Sequence, residues 1–147
     1  MSNDRENLAV SLFSELFMAD QLGRGLITKA LPKGMEISHF YVLNHLSRSG
    51  KEKSPAQLAK LFHVTKGAMT NTLGKLEWAG FIHIRPDWDD ARRKRIQISS
   101  AGQEAVKSAI AAVVPEISKI VDVISEDRVR AVMPVLRDLR IVLGEEG

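Results

Sequence analysis

Two helix starts eleven residues apart, Ser54 and Thr65, leave room between them for one short helix and a turn, and that spacing constrains the chain more than any other feature. "SPAQLAKLFHV" opens with Ser54 as a cap. Pro55 stands at the first helical position, where its missing N–H removes no bond, and Gln57 completes a capping box. After His63 and Val64, Thr65 caps "KGAMTNTLGKLEWAG", a helix that ends at Gly80 in a left-handed cap. The product is a helix-turn-helix.

What flanks this pair fixes the rest of the architecture. "FIHIR" and "RIQIS" alternate as strands, and the segment from Arg85 to Ser99, "RPDWDDARRKRIQIS", joins them as a β-hairpin. Upstream, apolar residues recur at helical spacing from Leu8 to Leu31 until "PKG" at Pro32–Gly34 stops them. A second helix near Glu36–Arg48 turns Ile37, Phe40, Leu43 and Leu46 inward, and "SRSGKEKS" follows as a polar loop. Downstream the helical period returns over Ala101–Val123 and Glu126–Leu143, with Pro115 and Pro134 expected to kink these helices or mark turns near them. The fold class expected is mainly α (α+β): a winged helix-turn-helix with long N- and C-terminal helices. Those outer helices are apolar over more than one stripe, wider than packing on one small domain requires. A two-fold homodimer solves this, with 1–34 and 101–147 interleaved between copies and 35–100 forming the DNA-binding lobe.

The formal charge of +3 says little until it is divided along the chain. Residues 1–47 carry −1, residues 48–98 carry +6 and residues 99–147 carry −2. The cationic excess coincides with the helix-turn-helix and hairpin, the footprint of a module that faces a polyanion. The chain has no cysteine, which excludes disulfides and thiolate metal sites and fits a reducing compartment, so a cytoplasmic location is expected. No apolar run reaches the roughly 18 residues a membrane helix needs, and no membrane partner is expected.

In a helix-turn-helix the first helix crosses the DNA backbone and the second presents its N-terminal residues to the major groove. Leu58, Ala59, Leu61, Val64, Met69, Leu73 and Leu76 would hold the pair together, with Ala59 small where the helices cross. Thr65, Lys66, Gly67, Ala68, Thr70, Asn71 and Lys75 then point outward, a face with lysines and no acid. Asn71 suits adenine, Thr70 a base edge or a thymine methyl, and Gly67 with Ala68 allows close backbone approach. Thr65 and the free N–H groups of the first turn suit a phosphate, as do Lys66 and Lys75, and Ser54 joins them at the other helix start. In the hairpin, Arg92, Arg93, Lys94 and Arg95 would reach the adjoining minor groove, where A·T-rich stretches concentrate negative potential. Asp87, Asp89 and Asp90 would avoid phosphate. Asp90 is expected to hold an arginine in place by a charge-assisted bond, and Trp88 to anchor the wing to the body, with an exposed stacking role as its alternative.

From Leu8 to Leu143 these residues resemble the MarR-type winged helix-turn-helix transcriptional regulators, the multiple antibiotic resistance regulators. The specific part is "SPAQLAKLFHVTKGAMTNTLGKLEWAGFIHIRPDWDDARRKRIQISSAGQ". It is similar to that family's helix-turn-helix, to its "LExxGxI" exit (here "LEWAGFI", Leu76–Ile82), to its Asp-x-Arg wing (Asp90-Ala91-Arg92) and to the "LTxxG" opening the next helix (here "ISSAG", Ile98–Gly102). The resemblance implies a triangular homodimer binding double-stranded DNA at a pseudopalindromic operator, one recognition helix per half-site, with Arg92 as the wing arginine and Asp90 orienting it. The commonly charged middle of that motif is Ala91 here, which removes a phosphate contact, and His63 replaces the turn's usual glycine, a left-handed position that His tolerates at some cost. Many members release DNA when a small phenolic or other aromatic ligand enters a cleft between the dimer helices and the DNA-binding lobe. On that basis Phe17, Met18, Leu22, His39, Phe40, Tyr41 and His45 are the candidate ligand residues, and repression relieved by such a ligand is the expected mode of action.

Two other classes stay open at this level. A winged-helix protein-interaction module without sequence-specific DNA binding would favour an acidic face over this basic one. An enzyme would need a nucleophile beside a base, and no such constellation, Gly-rich phosphate loop or G-x-S-x-G is present. The four histidines show no metal-ligand spacing, so neither a cofactor nor a metal is expected.

Overall fold

A computed structural model of the 147-residue chain describes residues 2–90 and 93–146. Its elements are α1 (Ser2–Ala30), α2 (Ile37–Ser49), α3 (Pro55–Leu61), α4 (Lys66–Trp78), β1 (Ile82–Pro86), β2 (Lys94–Ile98), α5 (Ser100–Ile124) and α6 (Glu126–Glu146). The order and type match those expected from the sequence, and the fold is mainly helical with a two-strand wing. α1 begins well before the expected Leu8, with Asp4 in its first turn, where a negative charge meets the positive end of the helix dipole. Pro115 and Pro134 mark no turns; α5 and α6 run through them. Among the described residues no helix is long and apolar enough to cross a membrane.

Local chemistry sets the helix-turn-helix. Ser54 Oγ accepts the Gln57 N–H at 3.1 Å while Gln57 Oε1 accepts the Ser54 N–H at 2.9 Å. Thr65 Oγ1 accepts the Ala68 N–H at 3.1 Å and starts α4. Between them His63 takes φ 53°, and Gly80 beyond α4 takes φ 81°. Both left-handed positions fall where the turn and the cap require them.

The main core gathers one face of every element in the lobe. Val42, Leu43 and Leu46 of α2 meet Leu58 and Ala59 of α3, Met69, Leu73 and Leu76 of α4, Ile82 and Ile96 of the wing, and Val106 of α5. Leu61 and Val64 do not join it: at 47% and 44% exposure they face outward, because the short α3 turns only Leu58 and Ala59 under α4. A smaller cluster seats Leu31, with Ile27, Met35, Ile37 and Phe40 around it, on Ala109 and Val113 of α5.

β1 and β2 pair antiparallel from Ile82↔Ile98 to Pro86↔Lys94. A third segment, invisible in the polar "SRSGKEKS", adds itself to the edge. Lys53 bridges Ile96, donating its N–H at 3.4 Å and accepting the Ile96 N–H at 2.7 Å. This fixes the wing one residue from the cap of α3. At the other end of the hairpin Ser99 Oγ donates to the Gly80 carbonyl at 2.6 Å and accepts the Gly102 N–H at 3.0 Å. Gly102 packs so closely here that a Cβ would lie 2.1 Å from the Phe81 carbonyl oxygen. α4, the wing and α5 therefore meet at one tight junction.

Candidate nucleic-acid interface

Thr65, Lys66, Gly67, Ala68, Thr70, Asn71 and Lys75 are all exposed, because burial of Met69, Leu73 and Leu76 turns the opposite side of α4 inward. Gly67 has open space where a Cβ would stand. Lys75 Nζ lies 3.7 Å from Glu36 Oε1, so this lysine already has a carboxylate neighbour at the start of α2.

The starts of α3 and α4 and the flank of the wing surround one cleft of about 450 Å³, lined by Ser54, Pro55, Ala56, Gln57, Lys66, Arg93 and Lys94. Four of the sequence-selected residues thus converge from three separate elements. Three are cations, and two helix N-termini open beside them. The combination suits an anion with several oxygens, since aligned helix dipoles and N–H groups add to the side-chain charge.

Two acids of the wing, Asp87 and Asp90, are engaged by arginines. Asp90 Oδ2 lies 3.6 Å from Arg93 Nε, and the Asp90 carbonyl accepts the Arg93 N–H at 3.0 Å. Arg92 and Ala91 lie outside the described residues. A second clasp goes beyond the sequence expectation: Asp87 Oδ1 accepts the Asp89 N–H at 3.0 Å, and its other oxygen sits 3.4 Å from Arg95 Nε, with Glu52 on the far side of that guanidinium. The bond from the Asp89 N–H, with the Arg95 charge beside it, holds the Asp87 carboxyl below its ordinary value. The Asp-x-Asp spacing of an Asx turn is the signal that could have found it. Trp88 anchors nothing: its side chain stands in solvent at 94% exposure, because the Asx turn points it away from the body.

The seven candidate ligand residues are not brought into one cavity. Phe17 lines a cleft of about 810 Å³ between α1, α6 and the helix-turn-helix turn, together with Arg24, His63, Leu136 and Arg140. His39 lines a second, of about 480 Å³, against the C-terminal half of α4; Tyr41 and His45 line a third, of about 560 Å³, beside α3. Phe40 packs against the smaller core cluster, and Met18 and Leu22 are exposed on α1. Among the described residues no group of His, Cys, Asp and Glu has the arrangement of a metal site.

His39 is built into the start of α2. Its Nδ1 accepts the Glu36 N–H at 3.2 Å, while its buried Nε2 finds no hydrogen-bond partner. Burial lowers its pKa below 6.5; the Glu36 carboxylate opposes this shift and Lys75 adds to it. The His45 pKa is lowered too, by burial and then by Lys53. With folded pKa values below the unfolded one, the unfolded chain takes up protons first as pH falls. Stability is therefore full above 6.5 and declines as pH drops from 6.5 toward the folded values. The melting temperature is expected to fall between about pH 7.5 and about pH 5.5. In His39→Gln, which keeps a capping-box side chain at the same position, the fall is expected to be smaller. An unchanged pH profile in that variant would remove His39 from the account.

Residues 33–93, from the turn before α2 to the connection that precedes β2, match the family model described as the MarR family. Over these residues the chain is similar to the MarR family. Its members are transcriptional regulators, not enzymes. The fold is similar to that of MarR from E. coli, seen in a complex of a point mutant with operator DNA, with TM-score 0.81 and 21% identity over 90% of this chain and 96% of that one. S. aureus MepR in DNA-binding conformation gives 0.75 and 21%, covering 89% of this chain and 98% of that one. The regulator BldR from Sulfolobus solfataricus gives 0.77 and 20%, covering 95% and 96%.

Proposed function

We propose that this protein is a MarR-family regulator that binds a pseudopalindromic operator as a homodimer and represses by occupying it, with DNA affinity set by a small aromatic or phenolic ligand. The observation that carries the DNA-binding reading is the convergence of Lys66, Arg93 and Lys94 with the starts of α3 and α4 around one cleft, next to the acid-free exposed face of α4. A duplex phosphate fits that cleft. Thr70 and Asn71 would then meet base edges in the major groove, and Gly67 and Ala68 would let the backbone approach. Arg92 keeps the minor-groove role that the resemblance implies for it, with Asp90 beside it, and Lys75 would exchange Glu36 for a phosphate. A relative of the same fold was crystallised with operator DNA.

Helices α1, α5 and α6, residues 1–34 and 101–147, would form the dimer, since each exposes large apolar side chains that nothing in one chain covers. The open cleft between α1, α6 and His63 supports the ligand reading: apolar walls from Leu136 and Phe17 with Arg140 suit an aromatic acid, while Arg24 there is already paired with Asp20.

Salt titration tests the electrostatic core of this reading. Lys66, Lys75, Arg93 and Lys94 in each of two subunits predict that log K falls against log salt with a slope of about −7, and Lys66→Ala or Arg93→Ala should each flatten it by about 2. Affinity independent of salt, or no preference for a short palindrome among random sequences, would sink the proposal.

A further inference from the structure

The side chain at the wing tip has no structural employment. Trp88 sits in the β1–β2 connection with almost its whole indole in water and lines none of the clefts described above. Trp78 at the end of α4 is as exposed but borders a cleft, whereas Trp88 stands bare on the hairpin that carries Arg93 and Lys94, and that position is what marks it for a contact.

Hydrogen bonds and an ion pair of Asp87 hold the backbone on either side of Trp88. The Asp87 carboxylate, only 10% exposed, ties the Asp89 N–H on one side of Trp88 and Arg95 of β2 on the other. The Asp87 N–H donates to the Arg93 carbonyl at 3.1 Å, closing the hairpin beneath the tip. Arg93 and Lys94, which line the cationic cleft with Lys66, belong to the same hairpin. When they engage the backbone, the tip is carried along the duplex with them.

Charge decides what the tip can touch. Asp89 is exposed beside Trp88 and is repelled by phosphate and by the negative potential of the groove alike, so the uncharged indole is the one part of the Trp88–Asp89 pair that can enter. The minor groove, about 6 Å wide, admits a flat indole edge-on, and adenine N3 and thymine O2 accept from the indole N–H, whereas guanine N2 projects into its path.

We propose that Trp88 is a DNA-contacting residue of the wing, packing its indole into the minor groove flanking each half-site and favouring A·T pairs there. This rests on the DNA-binding reading above and adds a sequence-determining contact to it.

The chain has two tryptophans, so Trp78→Phe leaves Trp88 as sole reporter. That variant is titrated with a duplex selected from random DNA by the unaltered protein, and binding is followed independently by anisotropy of labelled DNA. At saturation, Trp88 emission is expected to be quenched and protected from acrylamide. Trp88→Ala, whose melting temperature should not change, is expected to bind about ten-fold more weakly. Its salt slope should stay the same, because no cation is lost, and its preference for A·T at the flanks should flatten. Unchanged Trp88 emission on saturated DNA, undiminished affinity of Trp88→Ala, or an affinity loss matched by a shallower salt slope would each overturn the proposal. If anisotropy shows no binding of any duplex by the unaltered protein, the DNA-binding reading fails and this contact falls with it.

Discussion

Gly102→Ala is expected to lower the melting temperature by about 10 °C, the signature of a loss near ~3 kcal/mol in a chain of this size. The new Cβ would lie 2.1 Å from the Phe81 carbonyl oxygen, 2.7 Å from Ile98 Cγ1 and 3.1 Å from the Phe81 carbonyl carbon. Moving that carbonyl does not relieve the overlap cheaply, since it accepts the Ser99 N–H at 2.9 Å and lies between Gly80 and the wing. Moving α5 instead would stretch the Gly102 N–H from Ser99 Oγ and lift Val106 off the core. Helix propensity alone predicts the opposite sign, a gain of about 1 kcal/mol for alanine over glycine. Gly74→Ala, in α4 with open space around its Cβ, provides the contrast and should melt slightly higher than the unaltered protein. A Gly102→Ala protein that melts at or above the original would show that the junction yields at no cost.

Ile120→Glu should convert a dimer of twice 16.3 kDa into a 16.3 kDa species in sedimentation, without loss of helix content. Ile120 lies on the half of α5 beyond the smaller core cluster, where Ile117, Val123 and Ile124 are also exposed, and α1 contributes Leu8 and Leu12 to the uncovered apolar surface. Burying each such side chain between two copies is worth about 1.5 to 3 kcal/mol, whereas a buried carboxylate without a partner opposes association strongly. Separated subunits hold only one half-site each, so operator affinity should fall by about a hundred-fold or more as the tethering of two sites is lost. An unaltered protein that sediments as a monomer at micromolar concentration would contradict the dimer. A variant that binds the operator as tightly as its parent would uncouple dimerisation from recognition.

The parts legible in the sequence are those whose chemistry is local. Ser54 with Gln57, Thr65 with Ala68, and Gly80 act within a few residues of themselves, so reading them in order recovers the helix-turn-helix and both ends of α4. Helical spacing recovers the long helices because their buried sides repeat, and the hairpin declares itself by alternation. The parts that stay hidden depend on contacts distant in the chain. Nothing in "KEK" announces that Lys53 pairs with Ile96, and the glycine of "ISSAG" gives no hint that Phe81 lies against it. Leu61 and Val64 look like core because they are apolar, yet a seven-residue helix has too little length to turn them under its neighbour. Asp90 stands out in the sequence as the acid that restrains an arginine, and it does lie beside Arg93; the more enclosed carboxylate is Asp87, whose bond to the Asp89 N–H is marked in the sequence by the Asp-x-Asp spacing alone. The scatter of the ligand candidates over three clefts has a similar cause: helical spacing gives the side of a helix, not the neighbour that side meets.

The seamless packing of α5 onto the hairpin makes the helix a lever arm. Its 25 residues span about 37 Å at about 1.5 Å per residue, and its near end is locked to the wing and to the cap of α4 with no soft joint between them. A tilt of about 5° at the far end sweeps the near end through about 3 Å, close to the roughly 3.4 Å rise between successive nucleotides along a strand. Reading heads that must settle on two half-sites at once would then slip out of step after an angular change too small to disturb either one alone.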